Sequence, residues 1–355
     1  MLLISTLFIL TTIYCIIVES RTKRQADEDC TTLDGVPGNC ISIRSCLSLL
    51  SLLIQAAQNQ EIASFLRRSK CGGYAEVCCP REEVITKTPN QVTGQLVKGC
   101  GKTNVSINRL VGGVPAHLGA WPWIAALGYR DMSRTDLEWR CGGSLINNRY
   151  VLTAAHCIRT PPDLSLTLEK VRLGEHNLRS NSDDANPVDY GIEKTIVHEE
   201  YRSQRNDIAL VRLDKNVIFS DKIKPICVPQ PASLRSSTFE GKYPFMAGWG
   251  ETKLDGASLD ILVQMQVPIV DNDSCKKAYV KHGDVITESK ICAGQMKGGK
   301  DSCRGHSGGP LMLAQNGTFY QIGIISYGYK CAEPGYPRVY TRVTFYLDWI
   351  INNIE

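Results

Sequence analysis

The sequence has almost no charge imbalance: 40 Lys and Arg stand against 36 Asp and Glu, a net charge of +4 spread along 355 residues. Nucleic-acid binding needs cations gathered on one face, so that class finds no support. No second long apolar run follows the N-terminal one, which leaves nothing to hold the body of the chain in a bilayer. There is no internal repeat and no low-complexity tract, and the ordinary share of apolar and charged residues argues against wholesale disorder. The cysteines are not spaced as zinc ligands.

What is present begins with an apolar run from Leu2 to Val18. Val18 and Ser20 fit the small residues favoured before a signal-peptidase cut, so residues 1–20 read as a signal peptide rather than a retained anchor. The basic run Arg21-Thr22-Lys23-Arg24 is either a second processing site or a solvated tail. Of 15 cysteines, Cys15 lies in the signal segment, and the remaining 14 form an even set. A reducing cytosol disfavours so many paired thiols, so the expectation is a secreted, extracellular protein.

The length suggests about two domains. Cys30, Cys40, Cys46, Cys71, Cys78 and Cys79 crowd a segment too short to stand on an apolar core, with one helix expected within Leu49 to Leu66. Residues 80–109 read as a linker, with Pro89, Asn90 and Gly94. From Leu110 on, short β-branched and aromatic runs alternate with Gly, Asn and Pro, for example Trp123 to Leu127, Ser144 to Leu152, Ile208 to Leu213 and Gln321 to Tyr327. That rhythm predicts an all-β barrel or sandwich. Val343, Tyr346, Leu347, Ile350, Ile351 and Ile354 recur at helical spacing and predict a terminal helix.

Three segments carry chemistry together. Thr153-Ala154-Ala155-His156-Cys157 offers a base, Asn206-Asp207-Ile208-Ala209-Leu210 an acid before an apolar strand, and Gly305-His306-Ser307-Gly308-Gly309-Pro310 a serine in a glycine-rich turn. A serine hydroxyl attacks only if a base takes its proton, and the imidazole needs an acid to fix its tautomer. Singly each signal is weak. Jointly, in the order His, Asp, Ser, they resemble the chymotrypsin-like serine proteases of the trypsin lineage, from Leu110 to the end. The resemblance implies two β-barrels with a C-terminal helix and the site between the barrels. It makes His156 the general base, Asp207 its orienting acid and Ser307 the nucleophile, with Gly305 and Ser307 as oxyanion donors. It requires no cofactor.

Arg109-Leu110-Val111-Gly112-Gly113 resembles the family's activation site, cut after Arg109 to free an amine on Leu110. The N-terminal cysteines, with the adjacent pair Cys78-Cys79, resemble the clip domain of arthropod proteases (residues 30–79), similar proteins occurring in hymenopteran venoms. The family pattern implies Cys30–Cys78, Cys40–Cys71 and Cys46–Cys79 in the clip domain. It implies Cys141–Cys157, Cys275–Cys292 and Cys303–Cys331 in the protease domain, and a Cys100–Cys227 tether that survives cleavage. Implied partners are protein substrates and cascade proteases met through the clip domain, an upstream activating protease, and serpins. No nucleic acid is expected, and no membrane after signal removal.

Two positions depart from the family. His306 stands where an Asp normally pairs with the new N-terminal amine. Removing one partner from such a buried pair costs about 3–5 kcal/mol, although a neutral imidazole can still accept a hydrogen bond from the Leu110 amine. Asp301 occupies the place of the acid that reads Lys or Arg, and Ser326-Tyr327-Gly328 matches the pocket wall. Arg338, however, replaces a glycine that keeps the slot open. It either plugs the slot by pairing with Asp301, redirects specificity toward acidic or small residues, or swings aside. These changes leave two readings: an endopeptidase zymogen, or a non-catalytic homologue acting as cofactor or decoy. Asn104, Asn272 and Asn316 head candidate glycosylation sequons. Glu175 and Asn177, with Asp183 and Asp184, lie in a loop that binds calcium in some relatives, the plainer alternative being a solvated acidic loop.

Overall fold

The computed structural model describes residues 29–43, 46, 49, 52, 56, 59–72, 76–80, 97, 99–107, 113–131, 136–160, 166–250, 260–298, 306–330 and 333–354. The expected signal segment, the basic run at 21–24, the activation residues Arg109 and Leu110, and Asp301, Cys303, Gly305 and Cys331 lie outside the described residues. The chain divides into two compact units, residues 1–92 and 93–355.

In the first unit, β1 (Asp29–Thr31), β2 (Pro37–Ser42) and β3 (Glu76–Pro80) form an antiparallel sheet in that order. Helix α1 spans Gln60–Arg68. The Asn59 carboxamide accepts from the Glu61 and Ile62 amides, while Glu61 and the pair Arg67 and Arg68 place charge of the right sign at each end. Asn59 caps this helix within the apolar run, and Leu49, Leu52 and Ala56 before it are helical as well. Its Leu66 packs with Cys46, Leu49, Val77 and Cys79, a core of only a few side chains. Three disulfides, Cys30–Cys78, Cys40–Cys71 and Cys46–Cys79, supply what so small a core lacks.

The second unit is all-β with small helices, α2 (Ala155–Ile158), α3 (Ala232–Arg235), α4 (Asn272–Tyr279) and α5 (Leu347–Asn353). One sheet of seven strands runs in the order β10-β11-β7-β6-β5-β8-β9. Its strands are β5 (Ile124–Asp131), β6 (Leu137–Leu145), β7 (Tyr150–Thr153), β8 (Leu166–Leu173), β9 (Val188–Tyr190), β10 (Ile192–Val197) and β11 (Ala209–Leu213). A second sheet of eight strands runs β14-β15-β18-β17-β16-β12-β13-β4. It comprises β4 (Val114–Pro115), β12 (Phe245–Gly248), β13 (Val263–Gln266), β14 (Ile269–Val270), β15 (Lys290–Ala293), β16 (Pro310–Gln315), β17 (Thr318–Tyr327) and β18 (Arg338–Arg342). Every named strand pairing is antiparallel, the arrangement of the expected two-barrel fold. The hairpin from β16 to β17 turns on Asn316 and Gly317, both at positive φ, the tight turn that an Asn-Gly pair favours.

One core spans the two sheets, and a second is built on the eight-stranded sheet around Met246, Ile291, Leu311 and Tyr340. Trp121, Trp123, Phe245 and Phe319 stack edge-on or tilted where the two sheets meet. The Trp123 indole donates to Met312 Sδ, and Ser144 Oγ donates to Gln321 Oε1 across the seam. Cys141–Cys157, Cys275–Cys292 and Cys100–Cys227 are joined.

Three expectations change. Ser144 to Leu152 is a hairpin joining the end of β6 to β7, because Asn147 Oδ1 accepts from the Arg149 and Tyr150 amides and turns the chain. The terminal stripe opens as a 3-10 turn over Val343–Tyr346 before helix α5 (Leu347–Asn353), and Ile351 is only half-buried. The end of the expected linker is packed structure in the second unit. Gly101 donates to Pro225 O and accepts from the Phe319 amide, and Lys102 reaches Gly317 O and Thr318 Oγ1.

Candidate active site

The site is assembled across the seam between the sheets. His156 lies in the short helix α2 (Ala155–Ile158) that follows β7, and Asp207 lies two residues before the start of β11. Since β7 pairs with β11 through Thr153 and Ala209, the register alone brings the two side chains together. Asp207 Oδ1 accepts from the His156 amide at 2.9 Å, and Asp207 Oδ2 lies 2.8 Å from His156 Nδ1. The other sheet closes on the same acid. Ser326 at the end of β17 donates to Oδ2 at 2.5 Å, and Thr341 on β18 donates to the Asp207 carbonyl at 2.8 Å.

Asp207 is 2% exposed. Burial alone pushes its carboxyl upward. The hydrogen bonds and charge of His156, together with the Ser326 hydroxyl, outweigh that effect and hold it below the ordinary carboxylate value. The acid is therefore an anion that fixes the Nδ1–H tautomer and leaves Nε2 as the base.

Ser307 sits in a turn stitched to the histidine segment. Its carbonyl accepts from the Gly142 amide at 2.8 Å, and the Gly308 amide donates to Ile325 O at 2.9 Å. Gly308 has φ 78°, and a Cβ there would collide with Thr153 Oγ1 and the Gly142 carbonyl and crowd Cys157 Sγ. Only glycine allows the serine turn to lie this close to the segment bearing His156. Among the described residues, the one tight group of three metal-capable side chains is Cys141, His156 and Cys157, and its two cysteines are a disulfide.

His306 is buried, 3% exposed, and its ring lies on Gly248: a Cβ there would stand 2.8 Å from His306 Cδ2. Arg338, half-buried at the start of β18, runs along Gly328, with Cγ, Nε and Cζ at 3.2, 3.7 and 3.9 Å from where a Gly328 Cβ would stand. The Ser326 hydroxyl points at Asp207 and holds the catalytic acid, a contact additional to the expected place of Ser326-Tyr327-Gly328 on the pocket wall.

Glu175 and Asn177 do not fit a cation. Glu175 Oε2 takes Arg172 Nη1 at 3.1 Å, its Oε1 accepts the His176 and Asn177 amides, and Asn177 Oδ1 accepts the Arg179 amide. Arg172 also binds Asp189, so the guanidinium already supplies the positive charge this loop needs. Of the sequons, Asn316 is exposed at the hairpin tip, Asn272 opens helix α4 (Asn272–Tyr279), and Asn104 is bonded to Asp221 and Lys224. Gly142 and Thr341 escaped sequence reasoning, since nothing local marks them as neighbours of the site.

Comparison with known proteins agrees with this geometry. Residues 110–350 match the trypsin family model, and residues 30–79 match the regulatory CLIP domain of proteinases. A venom serine protease of Bombus ignitus is 46% identical over 90% of this chain and 91% of its own. The proclotting enzyme of Tachypleus tridentatus is 38% identical, covering 94% of this chain and 93% of its own. Phenoloxidase-activating factor 3 of Holotrichia diomphalia is also 38% identical, over 92% of this chain and 94% of its own. The crystal structure of the Drosophila Grass clip serine protease of the Toll pathway superposes with a TM-score of 0.61 at 31% identity, covering 92% of this chain and 97% of that one. With both domains matched along nearly their whole length, the chain belongs to the trypsin family and is a clip-domain serine protease.

Proposed function

We propose that this chain is a secreted zymogen, cut after Arg109 by an upstream protease, that then hydrolyses peptide bonds through an acyl-enzyme on Ser307. Its relatives support a place in a venom or in an extracellular cascade of the clotting or phenoloxidase-activating kind. On this reading the clip domain meets protein partners and serpins limit the active form. One observation carries the reading: Asp207 is held from both sheets, so His156 is oriented before substrate arrives. In the reaction His156 Nε2 takes the Ser307 proton as Oγ attacks the carbonyl, and then returns it to the departing amine. Water repeats the sequence to release the acid, and Asp207 keeps its charge throughout.

Primary specificity departs from Lys and Arg. The Arg338 stem lying on Gly328 supports a slot too short for a long basic side chain, and its cation favours an acidic or small one. His306 in its neutral form accepts a hydrogen bond from the Leu110 amine, in place of the family's ion pair. The test is to cleave the purified zymogen after Arg109 and add a fluorophosphonate probe between pH 6 and 10. Labelling of Ser307 that is lost in His156→Ala supports the enzyme. No labelling at any pH makes the chain a non-catalytic homologue. Peptides with Asp, Ala or Arg before the scissile bond then report the slot, and Arg338→Gly shifts the preference toward Arg.

A further inference from the structure

The loop that leads to Asp207 lines a cavity that the catalytic machinery does not use. The loop from β10 to β11 and the segment leading into β15 enclose an open space of 580 Å³ lined by Arg202, Arg205 and Lys290, with Glu200 as the one acid on its wall. The Arg202 and Arg205 backbones bond to each other, at 3.1 and 2.9 Å, which sets the two residues side by side. Among the described residues neither guanidinium is in an ion pair; Arg202 Nη1 donates to the Tyr201 carbonyl.

Lys290 is the costly member. It is 5% exposed, donates to Gln204 O at 2.5 Å and sits 4.5 Å over the Tyr327 ring. Burial pushes its ammonium down to about 8, with the charge of Arg205 acting in the same direction and Asp207 and Asp284 opposing. Three cations facing one cavity repel each other; Lys290 is held by the Gln204 carbonyl and the Tyr327 ring, whereas Arg202 and Arg205 are exposed. Val285 and Phe345, also on the wall, are 64% and 56% exposed, an apolar contact surface that the fold leaves open.

From this we infer that the cavity is a subsite for an acidic side chain of the polypeptide bound at the catalytic centre, its carboxylate among Arg202, Arg205 and Lys290 and its apolar neighbours on Val285 and Phe345. The charge pattern selects an anion, while the volume and the apolar wall favour a side chain on a chain over a free ion. Two of the lining residues are tied to the segments that build the site. Asn206 precedes Asp207, and Lys290 covers Tyr327, the residue after the Ser326 that holds Asp207. The inference rests on the endopeptidase reading for its substrate, but its test does not depend on turnover.

Fluorescent peptide pairs, identical except for Glu or Gln at one position scanned along the segment before the scissile bond, are titrated by anisotropy against Ser307→Ala protein cleaved after Arg109. The expected result is one position at which Glu binds about 10-fold more tightly than Gln at low salt, the difference shrinking as salt rises. Lys290→Met with Arg205→Ala erases that difference and leaves Gln-peptide binding unchanged. The single exposed-loop variant Arg205→Gln, which leaves Lys290 in place, halves it or more. Equal binding of every Glu and Gln pair overturns the subsite, whatever Ser307 does. Failure of wild-type Ser307 to label overturns the endopeptidase reading instead and leaves the binding comparison standing. In the active, unlabelled wild-type enzyme the same position shows the preference in KM rather than kcat.

Discussion

The Cys100–Cys227 bond closes a loop of 127 residues that contains Arg109, so it plays different parts before and after activation. In the uncut zymogen it restricts the unfolded chain. Loop-closure entropy for a span of this length corresponds to about 5 kcal/mol. For a unit the size of the protease domain, that predicts a Tm lower by roughly 10–20 °C in the double variant Cys100→Ser, Cys227→Ala. The replacements suit their places, since Cys227 is buried and Cys100 half-buried. Calorimetry of the uncut protein measures the effect without any need for activity. After cleavage at Arg109 the loop is open and the bond becomes a tether. The cut parent then runs as one species in SDS without reductant and as two with it, whereas the cut double variant runs as two in both. The contacts of Gly101 and Lys102 with Pro225, Gly317 and Thr318 do not survive the detergent. A fall in Tm below about 3 °C would refute the loop-entropy reasoning, and co-migration of the cut variant without reductant would refute the tether.

Gly308→Ala should abolish fluorophosphonate labelling while the zymogen still folds with its disulfides intact, because the added Cβ must displace the serine turn from Thr153 and Gly142; unchanged labelling would show that the turn tolerates the shift. Asp207→Asn should lower kcat by about 10⁴ through the wrong imidazole tautomer, read in steady-state kinetics with the best peptide. The depressed Asp207 carboxyl also sets a sign for stability against pH. Its contribution is complete above its ordinary value of 3.8 and fades as pH falls through the lower native value. Acid titration of zymogen unfolding should therefore show a loss below about pH 4 that Asp207→Asn lacks. Calcium or a chelator should leave the Tm unmoved, since Arg172 already neutralises Glu175 and Asp189; a calcium-dependent rise would show that the loop rearranges to expose them.

How much was legible depends on the range over which each feature is encoded. His156, Asp207 and Ser307 could be read because each lies in a short string whose neighbours serve it: Thr153 before the histidine, the apolar strand after the aspartate, the glycines around the serine. Helix α1 could be placed only broadly, since its start depends on one capping side chain, Asn59, within a longer apolar run. The terminal stripe was visible by its spacing, but its first turn tightens into a 3-10 turn as the chain leaves β18. The Ser326 contact with Asp207 was not legible for a different reason. It stands 119 residues from Asp207, and nothing near it in the chain shows which way its hydroxyl points.

The sequence by itself determined the chemistry: an even cysteine set, a base, an acid and a nucleophile in order, and two substitutions, His306 and Arg338, at places that matter to this family. Local strings suffice for that, because a nucleophile and its glycines are neighbours in the chain. The tertiary structure alone decided what surrounds them. It turned Ser326 onto Asp207, laid Arg338 along Gly328, paired Glu175 with Arg172, and gathered Arg202, Arg205 and Lys290 around one cavity. Those contacts join residues from separate strands and loops, and only the register of two antiparallel sheets brings them within reach.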